Sequence, residues 1–156
     1  MATDWLNAET LAPWRLAFDT AALVLIWLVQ LVIYPVYTYL QRADFARWHP
    51  VYTRRVTLVV LPVMLGQVTV YGLLLMTAPA VDVVVNALFV AAIWSVTFLG
   101  AVPLHTLLDD PELSDHLPAS RRINRVNAWR TGLWTLVWLV TVVVTILGAG
   151  AGSGVG

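Results

Sequence analysis

Four apolar runs, none interrupted by Asp, Glu, Lys or Arg, constrain this chain more than any motif in it: Thr20 to Leu40, Val56 to Met76, Val83 to Leu108 and Thr131 to Leu147. A hydrocarbon core of ~30 Å takes about 20 residues of α-helix, and inside it every backbone polar group must find its partner within the segment. Runs of this length therefore read as transmembrane helices. Of the 156 residues, 60% are hydrophobic and 12% charged, which excludes an ordinary soluble domain. The expected fold is an all-α integral membrane protein, a four-transmembrane-helix bundle. The short connection TAPAVD between helices 2 and 3 forces an antiparallel arrangement, giving two antiparallel hairpins.

Charge supplies the orientation. All nine basic residues are arginine. Arg42, Arg47, Arg54 and Arg55 follow helix 1, and Arg121, Arg122, Arg125 and Arg130 follow helix 3, leaving only Arg15 elsewhere. The positive-inside rule puts both arginine-rich loops in the cytoplasm and both termini on the non-cytoplasmic side of a bacterial inner membrane. Asp4 and Glu9 precede a first run too long for a secretory signal and lacking a small-x-small cleavage site, so helix 1 is expected to stay in the mature protein. Residues 1–15 read as an interfacial segment with Trp5 and Trp14 at headgroup depth, 16–148 as the bundle, and 149–156 as a flexible glycine-rich tail. In the third connection, Asp110, Pro111 and Glu112 predict a short helix ended by Pro118, with Ser120 capping a helix 4 that starts near Arg121.

A weak repeat joins the two hairpins. YPVYTYL at 34–40 and VPLHTLL at 102–108 share Pro, Thr and Leu, and each precedes a double arginine, aligning Tyr37 with His105. Chance similarity stays open as the alternative. Pro35, Pro62 and Pro103 each remove a helical hydrogen bond, freeing the carbonyls of Leu31, Leu58 and Leu99, and bends there would open the bundle toward the arginine-rich side.

All three histidines, His49, His105 and His116, lie on that side. With no cysteine in the chain, thiolate-held metals and iron–sulfur clusters are excluded. His105 and His49 are the best metal or haem candidates, with Asp44, Asp109, Asp110 and Asp115 nearby, although the spacing matches no recognised metal motif. Gln30 and Gln67 fall at similar depth and are expected to pair between helices. No charge lies inside the four runs, which argues against a proton relay, ion pathway or transporter. The arginines sit at headgroup level, which disfavours nucleic acid as a partner. Trp134 and Trp138, four apart, form a stripe suited either to packing or to docking on a larger membrane complex.

VPLHTLL followed by RRINRVNAWRTGLW resembles the C-terminal half of the four-helix membrane proteins grouped with anthrone oxygenases. YPVYTYL, FARWHPVYTRR and LPVML look like small bacterial four-helix proteins of the same plan. The resemblance spans about residues 30 to 135. It implies a four-helix bundle and, in some relatives, oxidation of an aromatic polyketide. The matching positions are Pro103, His105, Asn127, Trp129 and Arg130, with His105 standing where such sequences carry Asn.

Two functional expectations follow. One is an accessory or scaffolding subunit, with the lipid bilayer around it and other membrane proteins or further copies of itself as partners. The other is a membrane-embedded oxidoreductase, or binder of a hydrophobic aromatic ligand or haem, with a cytoplasm-facing pocket built from Tyr37, His49, Tyr52, His105, Asp109, Asn127 and Arg130. There His105 would act as base or ligand and Arg130 as anchor for a developing oxyanion.

Overall fold

The computed structural model describes residues 7–152 and is helical nearly throughout, with no strand among them. Four helical stretches are long and apolar enough to cross a membrane: Ala8–Val36, Arg42–Thr77, Val81–Leu108 and Leu117–Gly148. They are called spans 1 to 4 below. The expectations for residues 1–6 and 153–156, including Trp5 at the headgroups, lie outside the described residues.

Each span reaches past the apolar run that announced it. Span 1 begins at Ala8 because Asn7 caps it: the Asn7 side chain accepts from the Thr10 amide at 3.0 Å and the Thr10 hydroxyl accepts from the Asn7 amide at 3.2 Å. The segment expected to lie at the interface is thus already helix, with Pro13 inside it. Arg15 and Asp19, one residue short of the first apolar run, become buried members of span 1. Span 2 likewise begins at Arg42, so His49 stands on a helix rather than in a loop.

Between spans 3 and 4, residues 111–116 form turns instead of the short helix predicted there. Arg42 holds this connection by donating from Nε to the Leu113 carbonyl at 2.6 Å and from Nη2 to the Asp110 carbonyl at 2.8 Å. Span 4 starts at Leu117, whose amide donates to the Asp115 carboxylate at 2.9 Å. Pro118 therefore opens this helix, where its missing N–H costs little, and does not stop an earlier one. Ser120 lies buried inside the first turns and not at the cap. At the far end the helix continues to Gly152, into the stretch expected to be flexible.

The prolines leave a regular signature. Spans 1 and 3 each widen into a five-residue π-helical segment, Val29–Ile33 and Thr97–Ala101, ending two residues before Pro35 and Pro103. The two segments and the two prolines are offset by the same 68 positions (29 to 97 and 35 to 103). A proline ring clashes with the carbonyl four residues earlier, and a π turn relieves the clash by letting that turn open. The sequence repeat thus coincides with a repeated backbone irregularity.

Packing follows small residues and aromatics. At Gly66 of span 2 the Phe18 ring of span 1 sits where a side chain would begin, 2.2 Å from an added Cβ, so the two helices approach closely there. Early residues of spans 1 and 3 meet late residues of spans 2 and 4 at one end of the bundle, and the reverse holds at the arginine-rich end. Spans 2 and 3 share the loosest of the neighbouring interfaces.

Candidate ligand-binding site

At the arginine-rich end four side chains from three spans and a connecting residue form one hydrogen-bonded row. Asp109 Oδ1 lies 2.5 Å from His49 Nδ1, His49 Nε2 lies 3.0 Å from His105 Nδ1, and His105 Nε2 lies 3.2 Å from the Tyr34 hydroxyl. A carboxylate only accepts, so His49 Nδ1 donates to it. With both rings neutral, the remaining directions follow: His105 Nδ1 donates to His49 Nε2, and the Tyr34 hydroxyl donates to His105 Nε2. His49 is fully buried, while the Asp109 side chain is 37% exposed at the end of the row.

The other end of the row opens on a cavity of about 260 Å³ among all four spans. Tyr34, Tyr52, His105, Arg130, Trp94 and Trp134 line it, with aliphatic residues of spans 1, 2 and 3 completing the wall. Arg130 is 7% exposed and its Nε has no partner. Its Nη1 donates to Asn127 Oδ1 at 3.2 Å, its guanidinium neighbours the Tyr34 hydroxyl, and it lies 5.2 Å from the centre of the Trp134 ring. Asn127 is held in turn by donating to Gln30 Oε1 at 2.9 Å, and Gln30 donates to Asn124 Oδ1 at 2.7 Å. An amide chain thereby fixes a buried cation on the wall of a mostly apolar cavity, with its Nε unsatisfied. A buried donor without an acceptor is costly, which makes an oxygen-bearing ligand the natural complement.

Behind this site Tyr37 forms an aromatic floor, packing on Tyr34, Phe45, Trp48, His49 and Tyr52 at centroid distances of 5.1 to 6.0 Å. Burial pushes the Tyr37 phenol well above its ordinary range, so it stays protonated. His116 stacks on Phe45 at 4.3 Å and donates from Nε2 to the Tyr37 carbonyl at 3.0 Å. It takes no part in the row.

The seven residues expected to build a pocket do share one end of the bundle, in three different roles. Tyr52, His105 and Arg130 line the cavity; His49 and Asn127 stand one contact behind it, with the Asp109 side chain beyond His49; Tyr37 packs the floor. Gln30 and Gln67 do not pair with each other. Gln30 serves Asn124 and Asn127, and Gln67 donates to Asp19 at 2.7 Å while accepting from Trp134 Nε1 at 3.1 Å. Polar partners on other helices, unseen in a depth argument limited to the apolar runs, claim both amides. Trp134 faces inward at 2% exposure and offers no docking stripe. As for haem, both His105 ring nitrogens are engaged, and an iron would have to displace Tyr34 or His49. Among the described residues no three His, Asp or Glu side chains gather in a way that would hold a metal ion.

Sequence reasoning missed Tyr34 and Trp134 as cavity walls, while Trp94, read from its depth as packing against helices, lipids or a flat hydrophobic ligand, does line the cavity. It also missed a second polar cluster at the opposite end. There Asp19 accepts from Gln67, Tyr71 and Thr141, each at 2.7 Å. Arg15 pairs with Asp82 at 2.6 Å and donates from Nε to Tyr71 and Thr141, and Asn86 donates to the same two hydroxyls. The spacing of Arg15 and Asp19, four apart just before an apolar run, was the available signal.

The fold and site define an apolar four-helix bundle with a buried arginine and a histidine row facing one internal cavity. Compared with protein-family models, curated proteins and solved structures, the chain matches none.

Proposed function

We propose that the protein is a membrane-embedded binder, and in its chemistry a proton-abstracting enzyme, for a hydrophobic ligand carrying a weakly acidic oxygen. The observation that carries this reading is the row from Asp109 through His49 and His105 to Tyr34, ending on a cavity lined by Arg130, whose Nε lacks an acceptor. Every donor in the row points away from the cavity. A ligand hydroxyl can therefore pass its proton to the Tyr34 oxygen as Tyr34 passes its own to His105 Nε2. His105 then releases its Nδ1 proton to His49, and His49 its Nδ1 proton to Asp109, which discharges to water. The ligand keeps the electron pair as an oxyanion, and Arg130 holds it in a low-dielectric site where such stabilisation is strong.

In this reading the arginine-rich end faces the cytoplasm, as the positive-inside rule requires, and the proton leaves there. The resemblance to anthrone-oxygenase-type proteins carries the same expectation of an aromatic substrate. The scaffold reading draws on the apolar exterior, which any bilayer would cover; it has no use for a buried guanidinium with an unsatisfied Nε beside a cavity.

Naphthol, a planar weak acid that is neutral in water near neutral pH, tests the proposal with the protein in lipid nanodiscs. Bound naphthol is expected to show the absorption of its anion and to quench tryptophan fluorescence, since Trp94 and Trp134 line the cavity. His105→Phe should keep binding and lose the anion band. Naphthol that leaves both signals unchanged in the wild-type protein would sink the reading.

A further inference from the structure

The cavity is not closed on every side. Thr57 and Leu61 of span 2, and Phe98 and Val102 of span 3, line it and are also exposed on the outside of the bundle, with Leu61 at 42%, Phe98 at 56% and Val102 at 46%. These four residues rim a gap between the two spans that pack most loosely against each other. Span 3 is also interrupted here, since Phe98 belongs to its π-helical segment and Val102 follows it directly. The gap is apolar and lies within the stretch of helix long enough to be covered by lipid.

Size points the same way. At about 260 Å³ the cavity falls below the ~300 to 1,000 Å³ of pockets that enclose a whole drug-sized ligand. A volume of that size suits one ring system beside Arg130 better than a ring carrying a long chain. A ligand with an oxygen-bearing ring and a hydrocarbon tail would satisfy both ends: donors for the oxygen inside, and lipid for the tail outside.

We propose that the gap between spans 2 and 3 is a lateral portal, and that the ligand is a tailed membrane amphiphile whose ring enters the cavity while its tail stays in the bilayer. The proposal rests on the cavity being a ligand site, as inferred above, and adds the ligand's class and route. A free membrane amphiphile already keeps its tail in lipid, so the bound state neither gains nor loses tail contacts. This sets a sharp expectation for affinity expressed per mole fraction of ligand in the bilayer.

Naphthol and naphthol bearing an undecyl chain, titrated into the wild-type protein in nanodiscs, should bind within about threefold of one another on that scale. Leu61→Trp and, independently, Val102→Trp narrow the gap from opposite sides. Each should weaken the tailed probe at least about tenfold and the bare ring far less, and retained binding of the bare ring certifies that the variant has folded. If the bare ring binds and the tailed one does not, the cavity is closed to the bilayer and the portal is wrong while the ligand site stands. Equal effects of the tryptophans on both probes would likewise overturn the portal. If neither probe binds the wild-type protein, the ligand site itself fails and the portal with it.

Discussion

The two ends of the bundle both bury charge, and they do so in opposite ways. Around Asp19 the hydroxyls of Tyr71 and Thr141 each donate to the carboxylate and accept from Arg15 and Asn86, while Arg15 Nη2 and Asn86 Oδ1 find no partner. Spans 1 to 4 all contribute, and apart from Trp134 no member of the cluster borders the cavity. Around Arg130 the chain of amides reaches the guanidinium and stops, with Nε unpaired and open space ahead. Both ends leave buried atoms unpaired, Arg15 Nη2 and Asn86 Oδ1 at one and Arg130 Nε at the other, but of these residues it is Arg130 that lines the cavity, where a ligand can reach it. On the proposed function, the contrast gives stability to the Asp19 end and ligand chemistry to the Arg130 end.

The harshest test of that division is Asp19→Ala. It strands three donors and leaves the Arg15 and Asp82 pair in a cluster with no centre. Breaking a buried charged network of this kind costs about 3 to 5 kcal/mol. Unfolding in micelles should shift accordingly, and the fraction that remains folded should bind naphthol like the wild-type protein. A variant of unchanged stability would remove the reading of this cluster as a lock. Arg130→Gln is the mirror experiment. Its loss should weaken naphthol binding by about 10- to 100-fold, equivalent to roughly 1.4 to 2.8 kcal/mol, and change unfolding much less. The comparison breaks if Arg130→Gln proves the more destabilising of the two.

Much of the fold was legible because bilayer physics is blunt: long uncharged runs, short connections and prolines at matched places marked the four spans. The arginine-rich end was legible too, since histidine, tyrosine and arginine at the exits of apolar runs stand out against their surroundings. The Asp19 cluster was not. Charges in hydrocarbon are rare, so ending the first run at Thr20 excluded Arg15 and Asp19 from the membrane, when their partners on the other spans make them affordable there. The same blindness paired Gln30 with Gln67, because depth alone carries no information on which helices are neighbours. That Trp134 turns inward while Trp129 stays 72% exposed is a matter of helix rotation, set by packing and not by composition.

Helix approach at the stable end gives a smaller effect. Gly66→Ala places a methyl group against the Phe18 ring and should cost about 1 to 3 kcal/mol through overpacking, less than the loss of Asp19. Its signature is relief by Phe18→Leu in the same chain, measured as a double-mutant cycle in micelles. Additive effects would show that the close approach of spans 1 and 2 at this glycine is not the cause.

Trp134 is where the two ends touch, and it gives the finest test. Its Nε1 donates to Gln67 of the Asp19 cluster, while its ring lies beneath the Arg130 guanidinium. Trp134→Phe keeps an aromatic face for the cation and removes the N–H, leaving Gln67 Oε1 without its donor. Interhelical hydrogen bonds in membrane bundles are worth about 0.6 to 2 kcal/mol, so stability should fall by that order. Naphthol affinity should change little, because a phenyl ring still supports Arg130, though more weakly than an indole. If binding at Arg130 instead falls as far as in Arg130→Gln, the indole is setting the guanidinium's position through Gln67. The two ends would then be one network, with the Asp19 cluster positioning the site as well as holding the helices.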